Sequence, residues 1–179
     1  MIKIGIDNSC IQIKFLPLLK KLKGFSNQKL IRVDTVSKTR RELRNWGKSH
    51  DDEIIQLIHS FVNDVIWGGF IHDGLTQEEE IAVLDNYRGF TSKQRDAIQE
   101  ELKKILLPYG FITKKPMNEA IDTIILAEHI ARSADFFISN DNVYFVNNNV
   151  SKIEEKFPNI KIRRFDEDFI SELTTVLSN

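Results

Sequence analysis

Four carboxylates stand where an apolar run gives way to a turn, or on the helix that follows such a run. Asp7 ends Ile2-Lys3-Ile4-Gly5-Ile6, and Asp141 ends Phe136-Phe-Ile-Ser-Asn-Asp141. Glu42 lies in Val36-Ser-Lys-Thr-Arg-Arg-Glu-Leu43, just after Ile31-Arg32-Val33. Asp122 lies in Ala120-Ile-Asp-Thr-Ile-Ile-Leu-Ala127, which reads as a nearly all-apolar helix. In an open parallel sheet the strand ends along one edge border a shared crevice, so acids far apart in sequence can meet there. Converging acids cannot all stay ionised without a compensating cation, and hard divalent metals prefer carboxylate oxygens. The pattern points to metal-dependent chemistry, and the lack of a Cys/His cluster argues against zinc.

Each acid also has an ordinary structural use. Asp7 suits a cap on the segment after it, and Asp141 in Ser139-Asn-Asp-Asn142 suits a turn. Glu42 sits on a charged segment where a solvated role is common. Asp122 is the sharpest of the four, because Ala120, Ile121, Ile124, Ile125 and Ala127 flank it and an acid in such a helix is rarely buried unpaired. Glu119 lies one turn before Asp122 on the same face, as a further ligand or simply an acid near a helix N-terminus. His129 is seven residues on, about 10 Å along the same stripe and too far to share a metal. A packed or surface position is the default for His129, and core packing is the default for Trp46 and Trp67.

The elements that must position these residues alternate as strand and helix. Residues 2–6, 30–34, 135–139 and 160–163 read as short strands. Helices are expected around Phe15–Leu22, ended by Gly24, from Ser37 to about Trp46, and over Asp51–Trp67, where the apolar residues keep a helical period to Ile66. Thr76 with Glu79 and Thr91 with Gln94 have capping-box spacing, and Pro108 with Gly110 closes the second of those helices. Asn118, Ser151 and Asp166 are candidate starts of three more. Strands alternating with helices predict a three-layer α/β/α sandwich around a parallel sheet. Residues 1–179 read as one domain with a mostly helical elaboration at about 48–112.

Bulk composition fits that reading. The chain has 179 residues, 41% hydrophobic and 28% charged, enough for one domain with a sizeable core. Cys10 is the sole cysteine, so no internal disulfide can form. No signal-type N-terminus and no run of membrane-spanning length is present, and a soluble cytoplasmic protein is expected. With 25 basic against 26 acidic side chains, the net charge of −1 gives no global pull on nucleic acid. A polyanion would need a local patch: Arg40, Arg41 and Arg44 around Glu42, and Lys114 with Lys115 before Asp122. Such charges equally suit solvated surface segments.

In order along the chain, Asp7-Asn-Ser9, Glu42-Leu43, Asp122 with Ala127 five residues on, and Ser139-Asn-Asp141 resemble the motifs of the PIN-domain nucleases. Asn159-Ile-Lys-Ile followed by Phe165-Asp-Glu-Asp-Phe-Ile is similar to the closing strand and helix of that family. The resemblance covers roughly residues 1–47 and 112–177, and Val143 stands where many members carry a further acid. It implies a PIN-like fold and an endoribonuclease with two Mg²⁺ or Mn²⁺ ions held by Asp7, Glu42, Asp122 and Asp141. One ion would generate hydroxide for in-line attack on phosphorus, and the other would stabilise the leaving oxygen. Asn8, Ser9, Ser139 and Asn140 would then orient waters and carboxylates. The resemblance also allows a toxin neutralised by a small antitoxin protein, and a homodimer. Rivals are a DNA or flap nuclease with the same acids, and a PIN-like binding or scaffold module. An acid-pocket phosphatase is a poorer fit, because Asp7-Asn-Ser9 lacks the usual Asp-x-Asp pair, and no convincing receiver-domain lysine is found.

Overall fold

Among the described residues, five short strands give the molecule its frame. The computed structural model describes residues 1–36, 52–66, 93–108 and 116–178. In chain order the strands are β1 (Ile2–Ile6), β2 (Ile31–Val36), β3 (Val62–Ile66), β4 (Phe136–Ile138) and β5 (Lys161–Arg163). The described helices are α1 (Leu16–Asn27), α2 (Asp52–Phe61), α3 (Lys93–Leu106), α4 (Pro116–Ala131), α5 (Asn142–Phe145), α6 (Asn149–Lys156) and α7 (Glu167–Ser178). All described strand pairs are parallel, in the order β3-β2-β1-β4-β5.

Alternation along the strands fills two cores. Ile4 and Ile6 of β1, Ile31 and Val33 of β2, and Phe136 and Ile138 of β4 point to one face. There they meet Leu19 and Leu22 of α1, Ile54, Ile58 and Phe61 of α2, and Phe169 and Leu173 of α7. The residues between them point the other way: Phe137 and Ile162 pack with Leu102 of α3, Ile125 and Leu126 of α4, Tyr144 of α5 and Ile153 of α6. A parallel sheet needs both faces covered, since its strands carry apolar residues on each. The result is the three-layer α/β/α sandwich expected from the alternating pattern.

Three local expectations are corrected. The helix expected over Asp51–Trp67 ends at Phe61, and Val62–Ile66 runs on as β3 without an intervening loop. Its apolar spacing suits either element, and pairing of Val33 with Val62 beside β2 decides the outcome, through a register shift between Val33 and Asp34. Gly24 does not end α1, which continues to Asn27; a glycine in a helix interior is a weakness, not a stop. Helix α4 starts at Pro116, where a fixed φ and a missing N–H are tolerated, two residues before Asn118. Glu42, Arg40, Arg41, Arg44, Lys114, Lys115, Trp46 and Trp67 lie outside the described residues.

Among the described residues, no helix is long and apolar enough to cross a membrane.

Candidate functional site

The sheet order places a switch point between β1 and β4. From β1 the chain moves outward through β2 to β3, then returns to the other side of β1 for β4 and β5. Ligand crevices in open parallel sheets form beyond the carboxyl ends of the strands at such a point. Asp7 follows β1 directly and Ser139-Asn140-Asp141 follow β4 directly. The Asp7 N–H donates to the Ile138 carbonyl at 3.0 Å, extending the ladder one residue past β1. The two acid-bearing turns are therefore adjacent strand ends.

Helix α4 brings the third acid. It returns through Ser133 and Ala134 to the start of β4, so its C-terminal end lies at the opposite edge of the sheet and its N-terminal half at the acid edge. His129 of α4 packs over Gly5: a Cβ built on Gly5 would fall 2.4 Å from His129 Nδ1. Seven residues of helix carry the chain about 10 Å back from His129 to Asp122, while two strand residues carry it about 7 Å from Gly5 to Asp7. Asp7 shares the α4 side of the sheet with Gly5, because i and i+2 face the same way.

Tyr144 ties these parts together. Its hydroxyl donates to the Asp122 carbonyl at 3.0 Å, fixing α5, which follows Asp141, against α4. Burial pushes the Tyr144 phenol well above its ordinary range, and the negative charges of Asp122, Asp7 and Asp141 push in the same direction. All three acids thus act on one hydroxyl.

Asp7 is held by a clamp of hydroxyls. Its Oδ2 accepts from Ser139 Oγ at 2.8 Å and from Ser9 Oγ at 2.5 Å, with the Ser9 N–H at 3.4 Å. The two hydroxyls are 3.2 Å apart. Ser9 Oγ also accepts from the Asn140 N–H at 2.7 Å, and Ser139 Oγ accepts from the Asp141 N–H at 3.0 Å. Burial raises the Asp7 pKa; hydrogen bonds from Ser9, Ser139 and the Asn8 backbone oppose that, and the Asp141 charge adds to it. Burial thus makes ionisation of Asp7 costly, and the two hydroxyls keep its carboxyl in one orientation.

The expected residues fall into three groups. Asp7, Ser9, Ser139, Asn140 and Asp141 are joined by hydrogen bonds at one edge, with Asn8 between the first two, and Asp122 is linked to that edge through its backbone by Tyr144. Asp7 and Asp141 also perform the ordinary capping roles, Asp7 toward Ser9 and Asp141 Oδ1 toward Val143 at 3.1 Å. Glu119 lies on the α4 backbone one turn before Asp122, its side chain outside the described set, as are Glu42 and the five basic residues. His129 is buried and packed on Phe137 with ring centroids 5.3 Å apart. Sequence reasoning passed over Tyr144, because only the β1–β4 neighbourhood makes it central.

Among the described residues, no three His, Cys, Asp or Glu side chains gather closely enough to cage a metal ion. Mg²⁺ does not require such a cage: it keeps several waters and takes one or two carboxylates. The donors at this edge are carboxylate, hydroxyl and amide oxygens, and the one thiol nearby, Cys10, is buried and donates to the Ile138 carbonyl at 3.4 Å. Repulsion between Asp7 and Asp141 is the second feature that fits a hydrated hard cation.

His129 gives the fold a pH dependence of its own. Burial, aided by the Arg132 charge, lowers its pKa from 6.5 to about 3, and its Nε2 has no hydrogen-bond partner. The unfolded chain takes up the proton first as pH falls, so stability is present above pH 6.5 and declines toward pH 3. The slope is up to about 1.4 kcal/mol per pH unit. Melting curves between pH 7 and pH 4 should show a decline in the wild type that His129→Leu lacks.

No protein-family model matches the chain, and no curated protein matches it. Among solved structures, the chain is similar to the crystal structure of VapBC2 from Rickettsia felis bound to a DNA fragment from their promoter. The identity is 14% and the TM-score 0.44, over 92% of this chain and 100% of the matched one. A likeness this distant assigns neither family nor activity.

Proposed function

We propose that the acid edge is the active site of a divalent-metal-dependent endoribonuclease of the PIN type that the sequence motifs resemble. The observation that supports this most is that Ser139 joins Asp7 and Asp141 at the adjacent ends of β1 and β4, while Tyr144 ties the Asp122 backbone to the same strand ends. In this reading Asp7, Asp122 and Asp141 hold Mg²⁺ or Mn²⁺ together with water, and Glu42 is the fourth acid. The bound metal supplies Lewis-acid polarisation of the phosphodiester and a water acidified enough to react near neutral pH.

The chain's own residues do the rest. Ser9 and Ser139 fix the Asp7 carboxylate, and Ser139 also holds the Asp141 backbone, so one hydroxyl couples both acids. Tyr144 fixes the α4 backbone at Asp122. Preorganised groups of this kind spare the site reorganisation when charge develops on the phosphorane-like transition state.

The test is cleavage of single-stranded and structured RNA by purified protein. Cutting should require Mn²⁺ or Mg²⁺ and stop in a chelator, with Asp122→Asn as the control for contaminating nuclease. Cleavage of DNA flaps in preference to RNA would replace this reading with the flap-nuclease one. Tight RNA binding without metal-dependent cutting would leave a binding module. A toxin role belongs to the same reading and requires growth arrest on expression that Asp122→Asn abolishes and a small antitoxin relieves.

A further inference from the structure

Arg163 ends β5 and Arg164 follows it, and the structure uses the two differently. Arg163 is half-buried between two acids, with Nη1 at 2.7 Å from Glu154 and Nε at 2.8 Å from Glu172. Arg164 is exposed, and among the described residues no carboxylate lies within ion-pair distance of it. Its guanidinium lies over the Phe145 ring, 4.1 Å from the centroid, and Nη2 donates to Asn142 Oδ1 at 3.2 Å. A guanidinium stacked on a ring and held by one hydrogen bond loses little freedom on binding a further anion, and its remaining N–H groups suit a phosphate.

Its backbone is pinned against the acid turn on both sides. The Ser139 N–H donates to the Arg163 carbonyl at 3.1 Å, and the Phe165 N–H donates to Asn140 Oδ1 at 3.3 Å. Asn142, which accepts from Arg164, is the residue after Asp141. A second cation stands on the loop that follows Asp7: Lys14 Nζ lies 4.8 Å from the Phe15 ring, and Phe15 packs on Phe165 at 5.7 Å.

We propose that Arg164, presented by Phe145 and Asn142 beside Asp141, binds a backbone phosphate of a single-stranded polynucleotide next to the one held at the acids. This rests on the nuclease reading for its substrate class. A net charge of −1 gives no global pull on nucleic acid, and this cation supplies a local positive anchor at the edge where the acids would repel a polyanion.

The test is binding of a labelled single-stranded RNA oligonucleotide to the full chain in chelator, between 50 and 250 mM KCl, for wild type, Arg164→Gln, Arg164→Lys and Lys161→Gln. Arg164→Gln should weaken binding about five- to tenfold and flatten the plot of log affinity against log salt by about 0.7, the loss of one single-strand phosphate contact. Arg164→Lys should recover most of the slope, and Lys161→Gln, at the far end of β5, should change neither quantity. Melting temperatures of all four proteins should agree closely, since Arg164 is exposed. An unchanged slope in Arg164→Gln overturns the proposal, even if the wild type cleaves RNA with Mn²⁺. A reduced slope in Arg164→Gln, together with a wild type that never cleaves RNA, keeps the phosphate site and overturns the nuclease reading. Absence of RNA binding by the wild type overturns both.

Discussion

Gly5→Ala should destabilise the fold by about 3 kcal/mol, the upper part of the range for overpacking a filled interior. The added Cβ would lie 2.4 Å from Nδ1, 2.5 Å from Cγ and 2.8 Å from Cε1 of His129. These atoms belong to a ring, not to the end of a flexible chain, and the ring is itself buried against Phe137. Movement of α4 away from β1 would be the alternative, and it would separate Asp122 from Asp7. For a chain of this size the cost corresponds to a melting temperature roughly 6–12 °C lower. Gly5→Ala combined with His129→Ala should be less destabilised than the sum of the two single variants, because the smaller side chain leaves room for the new methyl. Simple additivity in that double-mutant cycle would show that β1 and α4 are not in contact at this point.

The strands that carry the acids were the easiest part of the fold to read. Ile2–Ile6 and Phe136–Ile138 are short apolar runs ended by polar turn residues, and the placement of Asp7 and Asp141 at their ends follows from those boundaries alone. Their adjacency was harder to read, because the pairs Ile4–Phe136 and Ile6–Ile138 join positions 132 apart, and nothing local marks such distant strands as neighbours.

Val62–Ile66 was illegible for a different reason. Ile54, Leu57, Ile58 and Phe61 already fit a helical stripe, and Val62, Val65 and Ile66 continue it numerically. Nothing local marks the change from helix to strand; the edge of β2 imposes it. Tyr144 and Arg164 belong to the same class. Their sequence neighbours announce a buried aromatic and a basic strand end, whereas their bearing on the acids depends on which strand ends lie side by side. Ser9 and Ser139 were visible as polar neighbours of Asp7 and Asp141, but not as two hydroxyls meeting on one carboxylate oxygen.

Asp7→Asn should lower RNA cleavage by more than about a hundredfold, beyond the 10- to 100-fold that loss of an orienting partner usually brings. The same substitution should make the metal-free protein more stable near neutral pH. Burial and the Asp141 charge raise the Asp7 pKa above 3.8, so the folded state binds the proton more tightly than the unfolded one. Stability therefore falls as pH rises through the interval from 3.8 to the raised value and stays lower above it. Asparagine keeps an oxygen for Ser9 and Ser139 without a buried charge, and its advantage should vanish below pH 3.8, where the wild-type carboxyl is protonated in both states. His129 contributes with the opposite sign over part of this range, but it is common to both proteins and cancels in their difference. A divalent ion that binds only the folded state reverses the order. At 100 times its dissociation constant it should stabilise the wild type by about 2.7 kcal/mol. Asp7→Asn should lose most of that gain. Melting curves of both proteins, with chelator or Mn²⁺ at matched ionic strength, measure each step. Equal Mn²⁺ shifts in the two proteins would remove Asp7 from the metal site, and a metal-free variant less stable than wild type at pH 7 would show that the hydroxyl clamp outweighs the cost of burying the charge.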